Sequence, residues 1–138
     1  MHPLDLPAAQ SQAARHRTAP ACRAPEETEV NALLDSIIRE GGIRSLYQPI
    51  VEIESRRVVG YEALARGPRS SPLEAPNELF ATARAADRVT DLCWACRGAA
   101  FGGALEARFA KPLSLFVNVE PEASTSRCPQ RCSRPSTA

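Results

Sequence analysis

Large apolar side chains are concentrated in the middle of this 138-residue chain, and that concentration decides where a core can form. Residues 1–28 carry Leu4 and Leu6 among Pro, Ala, Gln, Arg and Thr, too little apolar surface to offset the entropy of ordering them. Residues 124–138 contain no Val, Ile, Leu, Phe, Tyr, Trp or Met, so they can form neither an amphipathic helix nor a half-buried strand. The expected organisation is a disordered leader over residues 1–28, one structured unit over 29–121, and a disordered or out-of-register tail over 122–138.

Within the middle, the period of the apolar residues changes from helix to strand and back. Val30, Leu33, Leu34, Ile37 and Ile38 recur at helical spacing over residues 29–39, and Gly41-Gly42 supplies a stop. Residues 45–53 and 58–65 are short β-branched and aromatic runs joined by the charged Glu54-Ser55-Arg56-Arg57, which predicts a hairpin. Pro49 has no N–H for a ladder, so its strand belongs at an edge or a bulge. A loop through Pro68, Pro72 and Pro76 leads to a predicted helix over 78–87 with Asn77 as N-cap. A second helix over about 90–109 is weakened by Gly98 and Gly102-Gly103, and Leu113 to Val119 is a compact strand candidate. Strands separated by helical segments predict an α/β architecture with parallel pairing.

Composition excludes several classes. A net charge of +1 from 17 basic and 16 acidic residues does not describe a basic domain for nucleic-acid polymers. No apolar stretch approaches the roughly 18 to 20 residues of a membrane span, and the N-terminus lacks the apolar run of a secretory signal. Five cysteines without a disulfide-framework spacing fit a reducing compartment, so a cytoplasmic location is expected. Cys93 and Cys96 match a C-x-x-C spacing, but inside a predicted helix with no second pair nearby they read as core thiols. His2 and His16 fall in the leader and are given no role.

The polar residues inside the strands carry the chemistry. Strand alternation places Glu62, Leu64 and Arg66 on one face, and Tyr61, Ala63 and Ala65 on the other. Gln48 lies within the first strand, and Asn118 lies near the end of the third, between Val117 and Val119. Buried polar groups cost free energy unless satisfied, so such residues point to a polar site more than to core packing. Arg66 also fits a surface charge beside the Gly67-Pro68 turn.

These motifs together carry a resemblance. Tyr47-Gln48-Pro49-Ile50-Val51, then the run from Val58 to Gly67 containing Glu62-Ala63-Leu64, then Phe116-Val117-Asn118-Val119 after two helices, resemble the opening third of an EAL domain. Members of that family are cyclic-di-GMP phosphodiesterases. The resemblance covers about residues 30–121 and implies part of a TIM-like (β/α)8 barrel whose first strand is antiparallel to the next. It also implies two Mg2+ or Mn2+ ions and hydrolysis of cyclic di-GMP to pGpG. Carried over by position, it makes Glu62 and Asn118 metal ligands, and Gln48, Leu64 and Arg66 contacts to the dinucleotide. Carboxylate and amide oxygens suit hard cations, and a guanidinium suits a phosphate oxygen.

The remaining family ligands, another Glu, an Asp-Asp pair, a Lys and further Glu and Gln residues, come from later strands. Here no Asp follows Asp91, no Lys follows Lys111, and the only acids after Asn118 are Glu120 and Glu122. Glu120 stands where a Ser is common. Two-metal hydrolysis needs more carboxylates than these, so the expectation is an incomplete barrel that ends after its third strand and is inactive as this chain. The alternative is a non-catalytic module that binds cyclic di-GMP, or that pairs with a protein partner or a second copy through an open barrel edge. Neither a nucleic-acid polymer nor a membrane is an expected partner.

Overall fold

The computed structural model describes residues 26–128. Its elements run α1 (Glu27–Glu40), β1 (Arg44–Val51), β2 (Val58–Arg66), α2 (Pro76–Ala85), α3 (Val89–Glu106), β3 (Ser114–Val117) and α4 (Pro121–Ser124). Cys22, Cys132, His2 and His16, with most of the segments read as leader and tail, lie outside the described residues.

Helix α1 follows directly from its stripe. Leu34 and Ile37 are buried, Glu27 and Glu29 sit in the first turn and Arg39 in the last, the signs that a helix dipole favours. Gly41 closes it at φ 80°, a left-handed conformation that glycine adopts without a Cβ penalty. The helix begins two residues before the boundary drawn from composition, because acidic first-turn residues extend it without needing apolar ones.

The hairpin forms as the sequence predicts. β1 and β2 pair antiparallel with Gln48 opposite Glu62, and the turn is closed by Glu52 N–H to Arg57 O at 2.9 Å. β3 then adds to β2 in parallel, giving the order β1-β2-β3, so β1 and its Pro49 lie at an edge. Among the described residues the sheet does not close on itself.

Helix α2 departs from the expected start. Its N-cap is Ala75, with no side-chain cap, and Pro76 occupies the first turn, where a missing N–H costs nothing. Asn77 is therefore inside the helix and caps nothing. Helix α3 runs unbroken through its three glycines. At Gly103 the reason is packing, since a Cβ there would lie 2.4 Å from the Tyr47 hydroxyl. The absent side chain lets α3 lie close against β1, and Tyr47 donates to Ala100 O at 2.8 Å.

The core sits between the helices and the covered sheet face. Leu34, Leu73, Leu79 and Leu92 are almost fully buried there, with Cys93 and Cys96 among them. Burial pushes both thiols up, Cys96 to about 12, as expected for core cysteines. Past residue 121, Ala123 is fully buried in α4 and the Trp94 indole N–H donates to Ser126 Oγ at 3.0 Å. The boundary drawn at 121 thus falls inside a helix that packs on α3. No helix is long and apolar enough to cross a membrane among the described residues.

Candidate functional site

The sheet has two unlike faces. Tyr47, Tyr61 and Ala63 turn towards α3 and Phe109, with the Tyr61 and Phe109 rings stacked at 4.6 Å. The opposite face carries Arg44, Leu46 and Gln48 from β1, and Glu62, Leu64 and Arg66 from β2, in directly opposed pairs. Phe116 of β3 is opposite Glu62 and extends that face. This face is open: Leu46 is 47% exposed and Phe116 53%.

Asn118 lies one residue past the end of β3, where alternation returns its side chain to the open face. Its Nδ2 donates to Glu62 Oε1 at 2.7 Å, joining residues 56 positions apart. The structure therefore brings Glu62 and Asn118 together. Gln48 sits opposite Glu62 in register but is exposed and makes no side-chain hydrogen bond among the described residues.

Burial does not explain these residues. No polar or charged side chain is buried among the described residues: Gln48 and Asn118 are exposed, and Glu62 and Arg66 half-buried. The sequence argument from the cost of buried polar groups therefore fails here, because no layer formed by the described residues covers the open face. What these side chains share is one face of the sheet, on which Asn118 reaches back to Glu62 at mid-strand while Leu64 and Arg66 continue towards the C-terminal end of β2.

At that end, where β2 and β3 finish, lies a cavity of about 700 Å3 lined by Leu64, Arg66, Asn77, Arg84, Asn118 and Glu120 among others. Glu62 and Gln48 are not in its lining, and Glu62 is tied to it through Asn118. The Arg66 guanidinium donates to the carbonyl of Ala65 at 2.7 Å and has no carboxylate partner among the described residues. Arg84 and Glu120 pair at 2.6 Å across the same cavity. Sequence reasoning missed Arg84 and Asn77, since a helical position gives no signal of which loop it will face. Glu120 alone had a signal, its departure from the common Ser.

The described residues offer fewer carboxylates here than a pair of ions needs. Glu62 and Asn118 offer one carboxylate and one amide oxygen, while no group of three or more His, Cys, Asp or Glu side chains comes together among the described residues.

No family model matches the chain, and no curated protein matches it. A solved structure does: the 1.55 Å crystal structure of the Xanthomonas citri FimX EAL domain in complex with c-diGMP, with a TM-score of 0.61 and 22% identity. The match covers 72% of this chain and 39% of that chain, so this chain spans well under half the length of the solved domain. Over the part they share, the two have the same fold, and the chain takes the fold of part of an EAL domain.

Proposed function

We propose that this chain is a cytoplasmic module of cyclic-di-GMP signalling that binds the dinucleotide on its open sheet face. In this reading Arg66 meets a phosphate, Leu64 and Gln48 contact the nucleotide, and Glu62 with Asn118 supplies two ligands of one Mg2+ or Mn2+ ion. Water and ligand phosphate complete the ion's shell, as is usual for Mg2+. The observation that carries the reading is the Asn118–Glu62 hydrogen bond, which brings an amide and a carboxylate together on the face that also carries Arg66, an arginine with no carboxylate partner among the described residues. The fold shared with a domain crystallised with c-diGMP supports the choice of ligand.

Binding is favoured over hydrolysis. Hydrolysis of a phosphodiester to pGpG by two metals needs several carboxylates to hold the ions about 3.5 to 4 Å apart, and the described residues assemble no such group. Calorimetric titration of the full chain with cyclic di-GMP, with and without Mg2+, tests the reading. Saturable heat that grows with Mg2+ and no pGpG in the recovered nucleotide are expected. No heat at millimolar nucleotide overturns it.

A second reading has its own support. Leu46 and Phe116 expose apolar surface on the open face, and β3 has an unpaired edge among the described residues. A protein-interaction module, self-pairing or with another protein, would use both. Concentration-dependent mass in sedimentation, unchanged by cyclic di-GMP, favours it.

A further inference from the structure

A second cavity, about 590 Å3, opens between the open sheet face and the loop joining β2 to α2. Three guanidiniums line it, those of Arg44, Arg66 and Arg69, against the single carboxylate of Glu74. The hairpin register sets Arg44 directly opposite Arg66, a like-charge pair that is destabilising unless negative charge lies nearby. Glu74 answers only part of this. Its Oε1 accepts from Arg44 at 2.9 Å, and its Oε2 is taken by the backbone N–H of Ser70 at 2.8 Å.

Arg44 is fixed from two sides, because its Nε also donates to Gly67 O at 3.1 Å. Arg66 spends one N–H on the Ala65 carbonyl, and Arg69 makes no side-chain bond among the described residues. The first turn of α2, without a side-chain cap, borders the same space through Ala75 and Pro76.

We infer that this cavity is an oxyanion subsite that takes a phosphate group. Arg66 and Arg69 supply charge-assisted hydrogen bonds, and Arg44, locked by Gly67 and Glu74, forms the fixed cationic wall. The planar guanidinium fork matches phosphate oxygens, and the net positive lining draws a ligand of that charge. The inference shares Arg66 with the nucleotide reading and rests on it there, but it goes beyond that reading in Arg44 and Arg69, which line this cavity and not the one that Asn118 lines.

The test is a titration of the full chain with inorganic phosphate, followed by the arginine Nε–H resonances in NMR, with chloride at matched ionic strength as control. Phosphate is expected to shift the Arg44, Arg66 and Arg69 signals saturably, and chloride to leave them. R69Q changes an exposed side chain with no bond among the described residues and should weaken phosphate about tenfold, whereas E74Q should tighten it several-fold. R69Q should leave the heat of cyclic-di-GMP binding unchanged while it weakens inorganic phosphate, which separates this subsite from the nucleotide site. Shifts that match the chloride control, or R69Q and E74Q both binding phosphate as the unaltered chain does, overturn the proposal.

Discussion

The hydroxyl of Tyr47 on β1 and the Cα of Gly103 on α3 stand so close that a methyl group at Gly103 would come within 2.4 Å of the oxygen. Helix propensity alone favours G103A by about 1 kcal/mol. The clash opposes it, because Tyr47 is held by its bond to Ala100 O and by its edge contact with Phe109 at 5.1 Å. G103A should therefore lower stability by about 1 to 2 kcal/mol. In a Y47F background the nearest side-chain atom is 3.4 Å away, an ordinary contact, and G103A should become neutral or stabilising. Urea unfolding of the four proteins checks the change of sign.

The Asn118–Glu62 bond predicts an asymmetry between two substitutions. In the proposed reading N118A removes one oxygen ligand and frees the Glu62 carboxylate, while E62Q keeps the shape and loses the charge. Both should weaken Mg2+-supported binding of cyclic di-GMP, N118A by about tenfold and E62Q by more, since a charged ligand is worth more to a hard cation. In Mg2+-free buffer the two substitutions should matter far less. Equal losses with and without the ion would show that neither residue acts through a cation.

The buried thiols predict a loss of stability in alkali. Cys93 and Cys96 are pushed up from 9.0, mainly by desolvation, and Cys96 reaches about 12. The native state holds these protons more tightly than the unfolded state does. The stability they contribute is thus complete below pH 9 and is lost as pH rises from 9 towards 12. Cys96 alone should remove about 1 kcal/mol per pH unit in that window. Urea midpoints for the unaltered chain should fall more steeply above pH 9 than those for C96A.

Trp94 is the only tryptophan, so fluorescence reports on one contact. Its indole donates to Ser126 Oγ at 3.0 Å, and the Arg97 guanidinium lies 4.2 Å from its ring centroid while donating to Ala123 O. A123E places a charge at a fully buried position and should lift α4 from α3. The emission should shift to longer wavelength, and S126A should give a smaller shift. Unaltered emission in A123E would mean that α4 does not cover Trp94 in solution.

Much of the fold was legible because it is local. The α1 stripe, the hairpin and the sharing of one face by Glu62, Leu64 and Arg66 all follow from spacing along single elements. The start of α2 differs because Asn77 is a good cap in general, yet Pro76 begins the helix two residues before the expected residue 78. The burial of the strand polar residues was misjudged for a different reason. Alternation tells which side chains share a face but not whether another layer covers it, and here Leu46 and Phe116 remain exposed beside them. Arg84, Asn77 and Arg44 enter their cavities only through tertiary placement, which no spacing encodes.

The register of the hairpin shifts between Ile50 and Val51, near the turn, while the pairing from Arg44 and Arg66 to Ile50 and Gly60 is regular. A one-residue slip in a strand turns every side chain to the opposite face. The hairpin therefore has slack at one end and none at the other. Relatives that lengthen or shorten the turn over residues 52–57 can absorb the change at the irregularity without disturbing Gln48 and Glu62. An insertion between residues 44 and 48 has no such refuge, and would turn the site residues of β1 inwards against α3.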